Sequence, residues 1–358
     1  MEQISDHMEM LHAVDRPAFC VKGGIIVKVN ADAAGLLIET GIPVTDLLET
    51  GSEEYAAFTG GCLYLNLSLA GHSMGWSVLR MEGFDLFRLE DDEDDRELKA
   101  MALAARTLRD PLSSVMITAD RLFPLSGLAD DPQTREQVAR LNRGLMQMLR
   151  VINNMSDAER YHADTGVRQQ IRDISAVIGE VFEKAASLVE HTGIALRYEG
   201  LHETVYSLTD SDKLERAILN LLSNALKFTP RGGSICAKLT RRGKKLYLTI
   251  QDSGRGIDES LRGQLFSRYV RQPGLEDGSF GIGLGMVLVR AAAALHGGTV
   301  LVDQPASAGI RVTMSLAIRQ ESPGLIRNHI LIPDYAGELD HALVELSEVL
   351  PHELYGNN

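Results

Sequence analysis

The chain has 358 residues, 44% hydrophobic and 24% charged, and its 49 acidic against 36 basic side chains give a formal net charge of −13. That length and apolar content allow two or three domains with separate cores, and the acidic balance argues against direct binding to nucleic acid or to an anionic membrane. Three scattered cysteines offer neither a disulfide framework nor zinc spacing, no run reaches a membrane span, and the start, MEQISDHMEML, lacks a basic signal region, so a reducing, cytoplasmic setting without a membrane span is expected.

Residues 13 to 88 read as a small α+β unit. The run AFCVKGGIIVKVNADAAGLL carries a strand, a Gly-Gly turn, a second strand with Ile25, Val27 and Val29 alternating, and a short helix starting near Asn30. Further strands are expected at CLYLNLSLAG, SVLRMEG and FDLFRLE. This order resembles the start of a PAS sensor domain. Cys20 and the lone Trp76 read as core residues, and no haem or flavin pattern surrounds Cys20 or His72.

The acidic run Glu90 to Asp95 is expected to be a solvated linker feeding the next helix. Beyond it, Leu98, Met101, Ala105, Leu108, Leu112, Val115, Ala119 and Leu122 repeat at alternating steps of three and four. A second such seam, Val138, Leu141, Leu145, Met148, Ile152 and Met155, follows a break at FPLSGLADDP, residues 123 to 132. Two helices with these seams make an antiparallel hairpin, and two hairpins make a four-helix bundle, so a homodimer through the hairpin is expected.

Four short blocks then stand in a fixed order: AILNLLSNALKFTP, DSGRGI, LFSRYVR and GIGLGM. In the first, Ile218, Leu221, Leu222, Ala225 and Leu226 have helical spacing while Asn220, Asn224 and Lys227 fall on the opposite flank. Amide oxygens suit Mg²⁺, and a nearby ammonium suits nucleotide phosphates. Phe228 could lie against a base. Asp252 ends the strand-like run KKLYLTIQ, where its carboxylate can accept from the exocyclic amine of adenine, and Gly254 and Gly256 let the backbone pass close to the ring. Gly281, Gly283 and Gly285 feed the apolar helix MVLVRAAAALHG, whose N-terminus favours phosphate. The loop has neither the Walker ending nor the Rossmann context. Residues 272 to 280, rich in Gly, Pro and acid, read as a lid.

Together these blocks resemble the nucleotide-binding boxes of the GHKL (HATPase_c) fold as found in bacterial sensor histidine kinases. The resemblance covers roughly residues 95 to 318. It implies an α+β protein: a PAS-like sensor over 1–89, a dimerisation and phosphotransfer-like hairpin over 90–163, a GHKL α/β sandwich over 164–320, and a C-terminal extension over 321–358. It also implies ATP and Mg²⁺ as cofactors. Carried over residue by residue, it assigns Asn224, with Asn220, to the metal; Lys227 to phosphate; and Phe228 and Asp252 to adenine. Gly254, Gly256 and Ile257 go to the base pocket, Arg271 to the lid, and Gly281, Gly283, Leu284 and Gly285 to the phosphates.

The sequence departs from that family on the first hairpin helix. Where histidine kinases carry His-Glu(or Asp)-Leu-Arg-x-Pro-Leu, this chain reads Arg106-Thr107-Leu108-Arg109-Asp110-Pro111-Leu112. A guanidinium, protonated at every accessible pH, has no lone pair to attack a phosphorus centre, and Thr107 replaces the acid that would orient an imidazole. Arg106 is expected either to be a solvated surface side chain or to offer its guanidinium to the γ-phosphate. No other histidine falls on the helix.

Three functions therefore stand: a degenerate, ATP-binding histidine kinase acting as a dimeric switch in two-component signalling; an active kinase transferring to a partner's His, Ser or Thr; or a non-catalytic scaffold. A response regulator or partner kinase is the expected protein partner. In the extension, LDHALVELSEVL places Leu339, Ala342, Leu343, Leu346 and Leu350 on one face, a docking helix whose target, own chain or partner, the sequence leaves open.

Overall fold

The structure is a computed structural model that describes residues 11, 14–90, 96–123, 131–162, 169–267, 283–305, 309–320 and 339–356. Strands β1 (Ala18–Lys22) and β2 (Ile25–Val29) form the expected Gly-Gly hairpin. A register shift between Cys20 and Val21 turns Ile26 into the core, so Ile25 and Val27 face outward. Helix α1 (Ala31–Gly35) starts where Asn30 caps it, its side chain accepting from the Ala33 N–H. After α2 (Ser52–Ala57), strands β3 (Cys62–Leu69), β4 (His72–Met81) and β5 (Phe84–Leu89) complete an antiparallel sheet in the order β2-β1-β5-β4-β3. Its core is aromatic: Phe19 stacks on Phe87 at 4.7 Å and meets Trp76 at 5.1 Å.

Two long helices follow, α3 (Arg96–Leu122) and α4 (Pro132–His162), packed as a hairpin. Each heptad seam splits in two. Ala105, Leu112 and Ala119 on α3, with Val138, Leu145 and Ile152 on α4, are buried, whereas Leu108, Val115, Leu122, Leu141 and Met148 are 40% to 67% exposed. One row closes the hairpin, and the other is an apolar outer face.

The remaining unit contains β6 (Gln170–Asp173), α5 (Ile174–Val189), β7 (Ala195–Glu199), β8 (Tyr206–Thr209), α6 (Ser211–Phe228), β9 (Ser234–Arg242), β10 (Lys245–Asp252), α7 (Gly285–Leu295), β11 (Val300–Asp303) and β12 (Arg311–Ala317). Strands β9 to β12 are antiparallel, β7 joins β9 in parallel, and β6 pairs β8 separately. The alternation of Leu246, Leu248 and Ile250 puts all three into the layer between sheet and helices, as expected of a half-buried strand.

The N-terminal sheet does not stop at β3. That strand pairs with β11 through Tyr64↔Val300, Leu63↔Leu301 and Cys62↔Val302, giving one ten-stranded sheet, β2-β1-β5-β4-β3-β11-β12-β10-β9-β7. Gly61, with φ of +90°, permits the join, since a Cβ there would strike the Val302 carbonyl. Glu90 corrects the expectation of a solvated acidic linker. It is 1% exposed and its carboxylate accepts from Ser77, Arg88 and Ser267, because the cation at the end of β5 supplies the charge that permits burial. Residues 91–95 lie outside the described residues. No helix among the described residues is long and apolar enough to cross a membrane.

Candidate functional site

Helix α6 is the floor of the site. Asp210 caps it by accepting from the Lys213 N–H, and Leu214, Ala217, Ile218, Leu221, Leu222 and Ala225 fix it to the core. It ends at Thr229, held extended by the following Pro230. The helix thereby carries Asn224 and Phe228 to the lip of a cleft enclosing about 1030 Å³, open solvent at its mouth included.

The opposite wall is the end of β10. Asp252 is buried, and its Oδ1 accepts from the N–H of Gly254 at 2.8 Å and of Ile310 at 3.2 Å. Burial pushes the carboxyl pKa up while these N–H groups pull it back. Gly254 lies so close to the Phe228 carbonyl that any Cβ would collide with it, and Gly256 has φ of +80° beside the Gln304 side chain. Both glycines therefore do what close backbone approach demands. Ile257, Gly283 and Gly285 also line the cleft. Leu284 is 1% exposed and packs with Val287 against Met101 and Met155 of the hairpin.

The apolar part of the lining was not foreseen in the sequence: Met286, Val302, Ile310 and Val312 line the cleft beside Asp252. Phe266 is buried at 5.6 Å from the Tyr64 ring, and the neighbouring Ser267 lines the cleft while bonding Arg88 and Glu90. The N-terminal sheet thus touches the wall of the cleft.

At the other end, Asn220 is 1% exposed. Its Oδ1 accepts from Arg150 Nη2 at 3.3 Å, and its Nδ2 donates to the Arg216 carbonyl at 2.9 Å and to Glu345 Oε2 at 3.4 Å. Lys227 pairs with Glu348, and burial holds its ammonium below the usual lysine range, with Glu348 opposing that shift and Arg150 adding to it. Arg150, Arg216, Glu345 and Glu348 were missed in the sequence. Arg216 was the available signal, since it interrupts the buried face of α6 and a buried guanidinium needs a carboxylate. Arg271 and Gly281 lie outside the described residues. Among those described, no group of three His, Cys, Asp or Glu side chains could hold a metal.

Residues 209–320 match the family described as Histidine kinase-, DNA gyrase B-, and HSP90-like ATPase. The chain is 27% identical over 242 residues to the sensor histidine kinase TmoS of Ectopseudomonas mendocina, covering 66% of this chain and 25% of that protein. It is 29% identical over 244 residues to the swarming motility regulation sensor protein RssA of Serratia marcescens, covering 67% and 51%. Residues 209–320 are thus a histidine kinase-like ATPase domain, and the longer stretch that contains them is similar to sensor histidine kinases. The chain spans about a quarter to half the length of these two curated relatives. The solved structure of full-length ShkA in complex with AMPPNP shares the fold, with a TM-score of 0.50 and 22% identity over 63% of this chain and 47% of that one.

The position that the resemblance aligned with the family's acceptor lies on the outside of α3. Arg106 and Thr107 are exposed, and the Thr107 hydroxyl donates to the Ala104 carbonyl at 2.8 Å, back along its own helix. That bond turns the hydroxyl toward the helix backbone. Two residues on, Arg109 reaches across the hairpin to Asn153 Oδ1 at 2.9 Å.

Proposed function

We propose that this chain is a nucleotide-binding switch of two-component signalling that holds Mg-ATP but has no phosphoacceptor of its own. The observation that carries the reading is the contrast between a formed base pocket and the acceptor position. Asp252 and Phe228 line one cleft, with Gly254 against the Phe228 carbonyl and bonded to Asp252, which supports adenine recognition, while a guanidinium occupies residue 106. Asn224, half-buried at the cleft, is the metal donor in this account, and the bound ion would offset the charge of the triphosphate. The phosphates fall to Lys227 and to the α7 N-terminus at Gly283 to Gly285. Binding of a fluorescent ATP analogue with Mg²⁺, together with absence of autophosphorylation, is the expected pair of results. Failure to bind would end the proposal.

The outward row of Leu108, Val115, Leu122, Leu141 and Met148 supports dimerisation through the hairpin. The five-stranded N-terminal unit, with its helices between β2 and β3, supports a PAS-like sensor. A second reading, transfer to a partner's His, Ser or Thr, is favoured by a base pocket retained in a chain that lacks the acceptor; label from γ-phosphate appearing on another protein would mark it. The C-terminal segment, whose docking target the sequence left open, bonds α4 of its own chain through Arg143 and Gln147.

A further inference from the structure

Three cations converge beyond the base pocket, and the C-terminal segment supplies two of their counter-charges. Arg150 Nε lies 3.2 Å from Glu345 Oε2, and its Nη1 lies 2.9 Å from Glu348 Oε2. Arg216 Nε lies 3.1 Å from Glu345 Oε1, and the same guanidinium pairs with Asp157. Lys227 pairs with Glu348. The side chains of Glu345 and Glu348 are 0% and 6% exposed.

Two of the side chains held in this way are those assigned to metal and phosphate. Asn220 bonds Glu345 and Arg150, and Lys227 bonds Glu348. The α7 N-terminus is adjacent, for a Cβ on Gly285 would stand 3.0 Å from Asn220 Oδ1. Carboxylates held by guanidinium and ammonium groups present the same acceptor chemistry as phosphate oxygens.

We propose that the C-terminal segment is a built-in competitor of nucleotide: Glu345 and Glu348 fill the phosphate half of the cleft, and the docked segment and Mg-nucleotide exclude one another. The proposal rests on the nucleotide-binding reading above. Charge supports it. Withdrawing both glutamates strips two of the three carboxylates from a cluster with three cations, and leaving buried cations uncompensated is strongly unfavourable. One anion must therefore replace another, and a triphosphate can.

The same contacts give the exchange a mechanical consequence. The segment is seated on α4, where Arg143 Nε donates to the Ser347 carbonyl at 2.9 Å, Gln147 Nε2 to the same oxygen at 3.0 Å, and Asn142 Nδ2 to the Tyr355 carbonyl at 3.0 Å. On the other side His341 Nδ1 lies 2.9 Å from Glu215 Oε2 of α6. The docked segment bridges hairpin and nucleotide unit, so its expulsion loosens one from the other.

The experiment uses the full chain. Titration with a fluorescent ATP analogue and Mg²⁺ compares the parent with the double variant Glu345→Gln, Glu348→Gln, and hydrogen exchange of residues 341–355 in the parent is followed with and without Mg-AMPPNP. The variant is expected to bind roughly ten-fold or more tightly, because a site closed most of the time has its affinity reduced by the open fraction. Exchange of 341–355 is expected to accelerate at saturating nucleotide. Exchange unchanged or slowed in the parent overturns the proposal even where the variant folds poorly, as does equal or weaker binding by a folded variant. Absence of binding in both proteins overturns the nucleotide reading along with it.

Discussion

Arg106 and Thr107 are where the sequence departs most sharply from the family it resembles, in a seven-residue stretch whose register Leu108, Arg109, Pro111 and Leu112 anchor. Their exposure and the bond from Thr107 to its own helix add that nothing at residue 107 is placed to orient an imidazole. Arg106→His alone should therefore leave the chain unlabelled by γ-labelled ATP, whereas Arg106→His with Thr107→Glu restores both acceptor and orienting carboxylate. Labelling of the single variant would show the acceptor to be the only defect. His296 was legible only as not being the acceptor. It is 1% exposed; its Nδ1 donates to the Ala292 carbonyl at 2.7 Å, and its Nε2 accepts from the Asp210 N–H at 3.1 Å. That pairing holds the neutral ring, and burial lowers its pKa against the opposing pull of the Ala292 bond and Asp210. The unfolded chain then binds a proton that the folded chain refuses, so stability from this group is present above about pH 6.5 and is lost as pH falls below it, by up to about 1.4 kcal/mol per unit. Urea unfolding at pH 7.5 and 5.5 should show a larger acid loss for the parent than for His296→Gln; equal losses would remove His296 from the account.

At the scale of elements, periodicity located the hairpin, the floor helix and the strand leading to Asp252, since each has one apolar face whose spacing survives in the sequence. Periodicity was silent about partners. The seam of α3 contains Ala105 and Leu108 alike, yet the first meets α4 and the second faces outward, a distinction that depends on which neighbour each side of the seam receives. Leu141 and Val115 lie in that outer row, so Val115→Glu with Leu141→Glu should give a monomer in sedimentation while nucleotide binding persists. A stable dimer in the double variant would remove the hairpin as the dimer contact. The C-terminal segment is the clearest case of partial legibility. Ala342, Leu343, Leu346 and Leu350 are buried as their spacing suggested, but the polar residues between them, Glu345 and Glu348, carry the specific contacts. A carboxylate in an amphipathic stretch reads as solvated until the cation it meets is in place, and Glu345 meets Arg216 and Arg150, 129 and 195 residues away in sequence.

The whole molecule is organised by one sheet. The strands of the N-terminal unit and of the unit that carries the cleft were visible as separate alternating runs, but the pairing of β3 with β11 joins segments more than 200 residues apart, and strand order across such a distance leaves no local pattern. The junction is reinforced by Lys245 and Tyr247 on Glu54, by Arg290 over the Tyr64 ring at 5.4 Å, and by Glu90, whose carboxylate links Arg88 to Ser267 at the cleft. The sheet and Glu90 connect the N-terminal unit directly to the cleft wall. Glu90→Ala leaves Arg88 without its buried partner and should cost about 3 kcal/mol in urea unfolding. It should also change nucleotide affinity, and a stability loss with affinity untouched would confine Glu90 to a structural role. The central claim is that this chain has a nucleotide site. It is tested most directly by titrating the full chain with a fluorescent ATP analogue in the presence of Mg²⁺, beside Asn224→Asp. Saturable binding that the substitution weakens is the predicted result; no saturable binding, or binding indifferent to residue 224, would contradict it.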